Sequence, residues 1–257
     1  INQKKNEDLA NSRHSLSALY NEPINTKWSI AISVNENYSS NISKKSTYNN
    51  VPGNNEFIDT LSSNSDYTVN NTSAGLILKY KRKKIDFSVQ NFISRVVMSQ
   101  TEVIRNYSYS KPYINSVPGL SFGYARNKQS RLNINYNLRM DQPQVQQIQP
   151  LVDNTNPLLL QLGNPNLKQE LNHNINIQLN DGKVLKSRWL WINLYSEYTQ
   201  NALTQSSYID TFGKTIYQTI NVDGNYSIGA YSGYYKALGK SPFSLNINYQ
   251  PSINRQK

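Results

Sequence analysis

Apolar and polar residues alternate along much of the chain with a period of two. From Arg131 to Met140, Leu132, Ile134, Tyr136, Leu138 and Met140 take the even positions, and every odd position is Asn or Arg. From Asn172 to Asn180, His173, Ile175, Ile177 and Leu179 alternate with Asn172, Asn174, Asn176, Gln178 and Asn180. A period of two places successive side chains on opposite faces of a sheet, one apolar and one wet. A soluble sandwich strand alternates too, but this wet face is almost purely amide and carries few charges. That suits the wall of a water-filled lumen.

The same pattern predicts further strands. One lies near Ser12–Tyr20 and another over Trp28–Tyr38, where Trp28, Ile30, Ile32 and Val34 share a face. Ser73 to Tyr80, Ile85 to Ile93, Leu120 to Tyr124, Trp189 to Thr199, Thr215 to Tyr235 and Phe243 to Tyr249 complete the set. Residues 1–12 are polar and show no period. Connections alternate between short (21–27, 81–84, 127–130, 181–187, 237–242) and long (39–72, 98–117, 141–171, 201–213). Short turns on one rim and long loops on the other is the plan of an outer-membrane barrel. The short turns are basic: Lys27, Lys81 to Lys84, Arg126, Lys128, Arg131, Lys183, Lys186, Arg188 and Lys240. Tyr20, Trp28, Tyr80, Tyr124, Trp189 and Tyr235 stand beside them, the expected place of an interfacial girdle.

Composition agrees. Only 37% of the 257 residues are hydrophobic and mean hydropathy is −0.66, so helical spans of ~18 apolar residues are excluded. Strands that show only alternate residues to lipid are not. With no Cys and two His, His14 and His173, disulfides and thiolate metal sites are excluded and a zinc site is unsupported. No cofactor is expected. The net charge of +11 raises nucleic acid as a partner. The charges gather at turns and not along one face, so lipid headgroups are the expected partner and nucleic acid is not. No nucleophile elbow surrounds any Ser, no phosphate loop is present, and Asp153 and Glu170 pair only by listing, so no enzymatic activity is expected.

Between the two alternating runs lies Gly163-Asn164-Pro165-Asn166-Leu167-Lys168-Gln169-Glu170. Gly and Asn tolerate positive φ, Pro fixes its own, and Asn164 is pushed to extended geometry ahead of it. This is a rigid turn into a strand. After an amide-rich loop (Gln149 to Leu162), the octapeptide resembles the GNPxLKPE signature of TonB-dependent outer-membrane receptors and receptor-like barrels. Gln169 stands where the family has Pro. The segment Asn221 to Gly229 is similar to the family's N-x-G…I-x-G strand.

The resemblance implies an all-β fold: about ten strands of a 22-strand antiparallel transmembrane barrel in the outer membrane of a Gram-negative bacterium. Residues 1–257 would be part of the barrel domain, an internal piece whose plug domain and terminal strands lie elsewhere. It implies uptake of a scarce solute, a siderophore, vitamin, glycan or peptide, driven through TonB–ExbB–ExbD. The motif residues Gly163, Asn164, Pro165, Asn166, Leu167, Lys168 and Glu170 would be structural, and Tyr48, Tyr107 and Tyr109 would be ligand contacts on the long loops. A cell-surface adhesin or ligand-binding β-protein is the alternative.

Overall fold

The structure, a computed structural model, describes residues 3–51, 54–148, 153–156, 159–239 and 241–257. The first strands are β1 (Gln3–Pro23), β2 (Trp28–Val51), the short β3 (Asn54–Phe57), β4 (Ser63–Arg82), β5 (Ile85–Glu102), β6 (Tyr107–Asn127) and β7 (Ser130–Asp141). After a single turn of helix α1 (Val145–Ile148) come β8 (Asp153–Asn156), β9 (Leu159–Leu162) and β10 (Glu170–Lys183). The chain ends with β11 (Arg188–Gln200), β12 (Ala202–Ile209), β13 (Thr215–Val222), β14 (Asn225–Ala237), β15 (Ser244–Tyr249) and β16 (Ser252–Arg255).

The main sheet is antiparallel, in the order β1-β2-β4-β5-β6-β7-β10-β11-β14-β15, with β16 also on β14. These are ten crossings, since β15 and β16 are one line interrupted at residues 250–251. The sheet is open, with β1 at one edge and the β15–β16 line at the other. A smaller sheet, β12-β13-β9-β8, is built from the long connections.

Register carries the alternation across the wall. Trp28, Tyr80, Phe87, Phe122, Ile134, Ile177, Leu194 and Ala230 form one unbroken row on the outer face. One residue out of step, the inner face carries rows such as Asn137, Asn174, Glu197, Ser227 and Asn254. Among the described residues no second layer covers the apolar face. Ile32, Leu76, Ile93, Ile175 and Leu194 are between 43% and 55% exposed, which water would penalise and hydrocarbon does not.

The apolar band has an upper edge. Above the row Val34–Ala74–Ile93 the outer face turns to Glu36, Thr72 and Arg95. From the short turns to that row each strand runs 7 to 9 residues, near the ~9–11 needed for a crossing. Yet β2, β4, β5 and β6 run 24, 20, 18 and 21 residues. The sheet therefore continues well past the membrane. This corrects the expected long loops at 39–72 and 98–117, which are mostly strand. The outer face of these extensions is mostly polar and their inner face mixes Asn, Gln and Tyr with Val69, Val96 and Met98, so no clean hydrophobic alternation marks them, but the backbone ladder holds them without it. The connections shrink to tips near 52–62 and 103–106, and β1 likewise begins at Gln3 within the stretch that shows no period.

The short turns are built as expected, and Asn25 shows how: its Oδ1 accepts from the backbone N–H of Lys27 and Trp28 at 2.9 and 3.0 Å. Lys240 lies outside the described residues. Gly75 in β4 is required by close approach. A Cβ there would meet the Asn91 carbonyl oxygen and the Phe92 ring at 2.5 Å, and the oxygen cannot rotate away. Gly75→Val is expected to lower stability by about 1–3 kcal/mol, read as earlier thermal loss of the barrel in detergent.

Candidate functional site

Beyond the apolar band, the inner face of β4, β5 and β6 carries large hydrogen-bonding side chains. One row holds Asn41, Tyr67, Gln100 and Tyr109; the next holds Val69, Met98 and Lys111; a third holds Val96 and Tyr113. The motif loop Gly163–Glu170 folds down onto this surface. Leu167 is fully buried and packs with Val96, Met98 and Ile148, which are also buried, while Tyr67, Val69, Tyr109, Tyr113 and Leu203 close the sides.

Polar groups fasten the loop on two flanks. On the β6 flank, Lys111 Nζ donates to the carbonyls of Pro165 and Leu167, each at 2.8 Å. The hydroxyls of Tyr109 and Tyr113 donate to the same two carbonyls at 3.1 and 2.9 Å, and Asn115 donates to the Gln169 side chain. On the β13 flank, Asn221 pairs with the Lys168 peptide as a strand would: its Oδ1 accepts from Lys168 N at 2.7 Å and its Nδ2 donates to Lys168 O at 3.1 Å. Asn164 Nδ2 donates to Thr219 O at 3.0 Å, and Glu170 Oε2 accepts from Leu203 N at 3.0 Å. Inside the loop, Asn164 Oδ1 accepts from Asn166 N at 3.1 Å, the side-chain turn that Asn favours. Gly163 O accepts from Gln218 Nε2 at 3.3 Å.

The local electrostatics follow from this cover. These groups lie past the Glu36–Thr72–Arg95 row, outside the spanning segments. Burial pushes the Tyr67 hydroxyl up to about 12, helped by neighbouring Tyr109. Burial likewise raises Tyr113 and Tyr109, so all three remain donors at neutral pH. Burial lowers Lys111; the two carbonyls are what its ammonium gains in exchange for water.

The predicted ligand tyrosines separate. Tyr107 and Tyr109 are on the inner face, Tyr107 opposite the buried Glu102, but the Tyr109 hydroxyl is committed to the motif loop. Tyr48 has the other parity; it sits on the outer face of the β2 extension, its ring 5.4 Å from that of Phe57. Of the predicted girdle, Tyr20, Trp28, Tyr80 and Tyr124 share the apolar face, with the Trp28 and Tyr80 rings 4.7 Å apart. Trp189 and Tyr235 pair with each other and with Gly182 on the amide face. There the β11 aromatics lie over glycines of the flanking strands: a Cβ at Gly182, Gly233 or Gly229 would fall within 2.4 Å of Trp189, Trp191 or Tyr195. The inner wall near the short turns is thus aromatic as well as amide. Sequence reasoning missed Lys111, Tyr113 and Asn115, and it singled out Asn221 without its pairing to Lys168. A signal existed in Tyr107-Ser-Tyr-Ser-Lys-Pro-Tyr-Ile-Asn115, where long hydrogen-bonding side chains alternate with smaller or apolar ones.

The family model of the outer membrane protein beta-barrel family matches residues 1–257. The chain belongs to that family. It is an outer-membrane β-barrel chain of a Gram-negative bacterium, and the receptor-like resemblance read from the Gly163–Glu170 octapeptide holds at the level of family and fold. Among solved structures, the barrel is similar to the copper transporter OprC (TM-score 0.64, 11% identity), covering 98% of this chain and 39% of that one. The ferric citrate transporter FecA is similar at TM-score 0.53 and 11% identity, over 99% of this chain and 37% of its own. The alcaligin receptor FauA from Bordetella pertussis is similar at TM-score 0.52 and 15% identity, over 98% and 40%. The chain spans about two fifths of the length of these structures. No curated protein matches it by sequence.

Proposed function

We propose that this chain forms the middle of the wall of a plugged, TonB-driven barrel that takes a scarce solute across the outer membrane. The observation that carries the reading is the motif loop held by side chains on both flanks over the inner face, beneath hairpins that project past the membrane. A rigid inner floor below tall hairpins makes a vestibule on the long-loop side. Tyr107 and the hairpin tips of β2–β4 and β5–β6 would meet the solute there, a small molecule or short oligomer. The plug domain and the TonB–ExbB–ExbD contact would come from other parts of the protein. The motif residues Gly163 to Lys168 and Glu170 are structural in this reading: they fix the floor and do not touch solute.

The test is uptake of labelled ferric chelates, corrinoids, oligosaccharides and peptides by cells with and without the gene. One solute class should be lost on deletion and stop entering when the proton gradient is collapsed. Tyr107→Ala should reduce its entry severalfold with the barrel still present at normal level. Entry of every class unchanged by deletion, or insensitive to the uncoupler, would overturn the proposal.

A further inference from the structure

The outer face carries a depression where the wall should be smooth. In register, Ile175, Ser196, Ile228 and Ile253 make one row across β10, β11, β14 and β16. Ile177, Leu194 and Ala230 make the next. Ser196 and Ala230 are small residues set among branched ones, so the surface dips along the diagonal between them. Beside Ala230 the last line of the sheet breaks between β15 and β16, and Ala230 N donates instead to Pro251 O at 3.0 Å. The resulting groove has a volume of about 340 Å³ and is lined almost wholly by carbon. Its walls stand open: Ile228 is 51% and Ile253 66% exposed.

The row directly above the groove, toward the long-loop rim, is different in kind. It reads His173, Tyr198, Tyr226, Arg255. His173 accepts or donates with the Tyr136 hydroxyl at 3.0 Å, and its ring lies 5.9 Å from that of Tyr198. Arg255 is exposed and forms no ion pair among the described residues. Two phenols and a guanidinium therefore cap an apolar trough on a surface that faces lipid. That is the polarity of one membrane lipid, chain below and headgroup above. The long-loop rim of such a barrel faces outward, so the leaflet is the outer one. A guanidinium favours a phosphate, which it can grip through two N–H groups.

We infer that this groove is a resident lipid site: it holds an acyl chain of a phosphate-bearing outer-leaflet lipid, with Arg255 on the phosphate and Tyr198 and Tyr226 at the headgroup. The inference rests on the outer-membrane location and the outer-face geometry, and not on the solute-uptake proposal.

The protein, extracted from its outer membrane in mild detergent and washed with more, is examined by native mass spectrometry for lipid retained per barrel. The wild type should keep a phosphorylated lipid. Ala230→Leu, which fills the trough, and Arg255→Gln, which removes the charge, should each reduce retention about tenfold, the scale of one charge-assisted hydrogen bond. Leu76→Ala, on a distant part of the same apolar face, should leave it unchanged. Unaltered migration of unheated samples on gels shows that each variant is folded. Equal retention in all four proteins overturns the inference. So does retained lipid without phosphate, or loss in Ala230→Leu with none in Arg255→Gln, which would mean a merely annular lipid.

Discussion

Ile177→Arg is expected to drive the chain out of the membrane-inserted state, while Gln178→Arg, one residue on, leaves insertion intact. Ile177 lies between Ile134 and Leu194 in the unbroken apolar row. A guanidinium on the lipid face near the midplane of a barrel costs about 2–4 kcal/mol, or roughly thirtyfold and upward in the inserted fraction. Gln178 belongs to the inner face, between Asn133 and Asn193, and is exposed. There an arginine keeps its water and gains amide neighbours. The measurement is the fraction of barrel that co-sediments with outer membranes and resists protease for each variant. Equal insertion of both, or loss of the Gln178 variant alone, would reverse the assignment of faces on which the membrane reading depends.

That assignment was legible because lipid imposes one demand on every crossing. Leu132, Ile134, Ile175 and Ile177 repeat it so regularly that strand, face and neighbour follow from sequence. Where the demand is absent the sequence falls silent. Ser39 to Thr47 and Tyr107 to Asn115 are strands because backbone ladders hold them, and a ladder asks nothing of side-chain hydropathy. They therefore looked like loops. Trp189 illustrates a second gap. The segment from Trp189 to Leu194 is apolar on both parities, and only the pairing of Trp189 with Gly182 shows which parity faces inward. Gly182, Gly229 and Gly233 were the missing clue: an inner-face glycine makes room for a neighbouring ring. The site was half visible in the same way. The octapeptide announced a rigid turn, but its partners Lys111, Tyr113 and Asn221 lie more than fifty residues away along the chain, beyond the reach of any local pattern.

Those distant partners set the second large effect. Leu167→Ala is expected to free the motif loop from the inner wall without unfolding the barrel. Leu167 is fully buried, and truncating such a leucine costs about 2–5 kcal/mol. The loss falls on the loop, because the spanning strands below are held by their own ladders. Hydrogen exchange reads it locally. Lys168 N, now bonded to Asn221 Oδ1, should exchange about thirtyfold faster or more, while amides of β7 and β10 at Ile134 and Ile177 keep their protection. Lys111→Met should act in the same direction but less strongly. It removes the ammonium shared by the Pro165 and Leu167 carbonyls, yet the Tyr109 and Tyr113 hydroxyls still reach them, and Lys111 is only partly buried. The two changes touch one cluster, so together they should fall short of the sum of their separate effects. Full additivity would mean that the apolar plug at Leu167 and the polar clasp at Lys111 hold different things. An unchanged Lys168 rate in Leu167→Ala would mean that the Asn221 pairing alone fixes the floor of the vestibule.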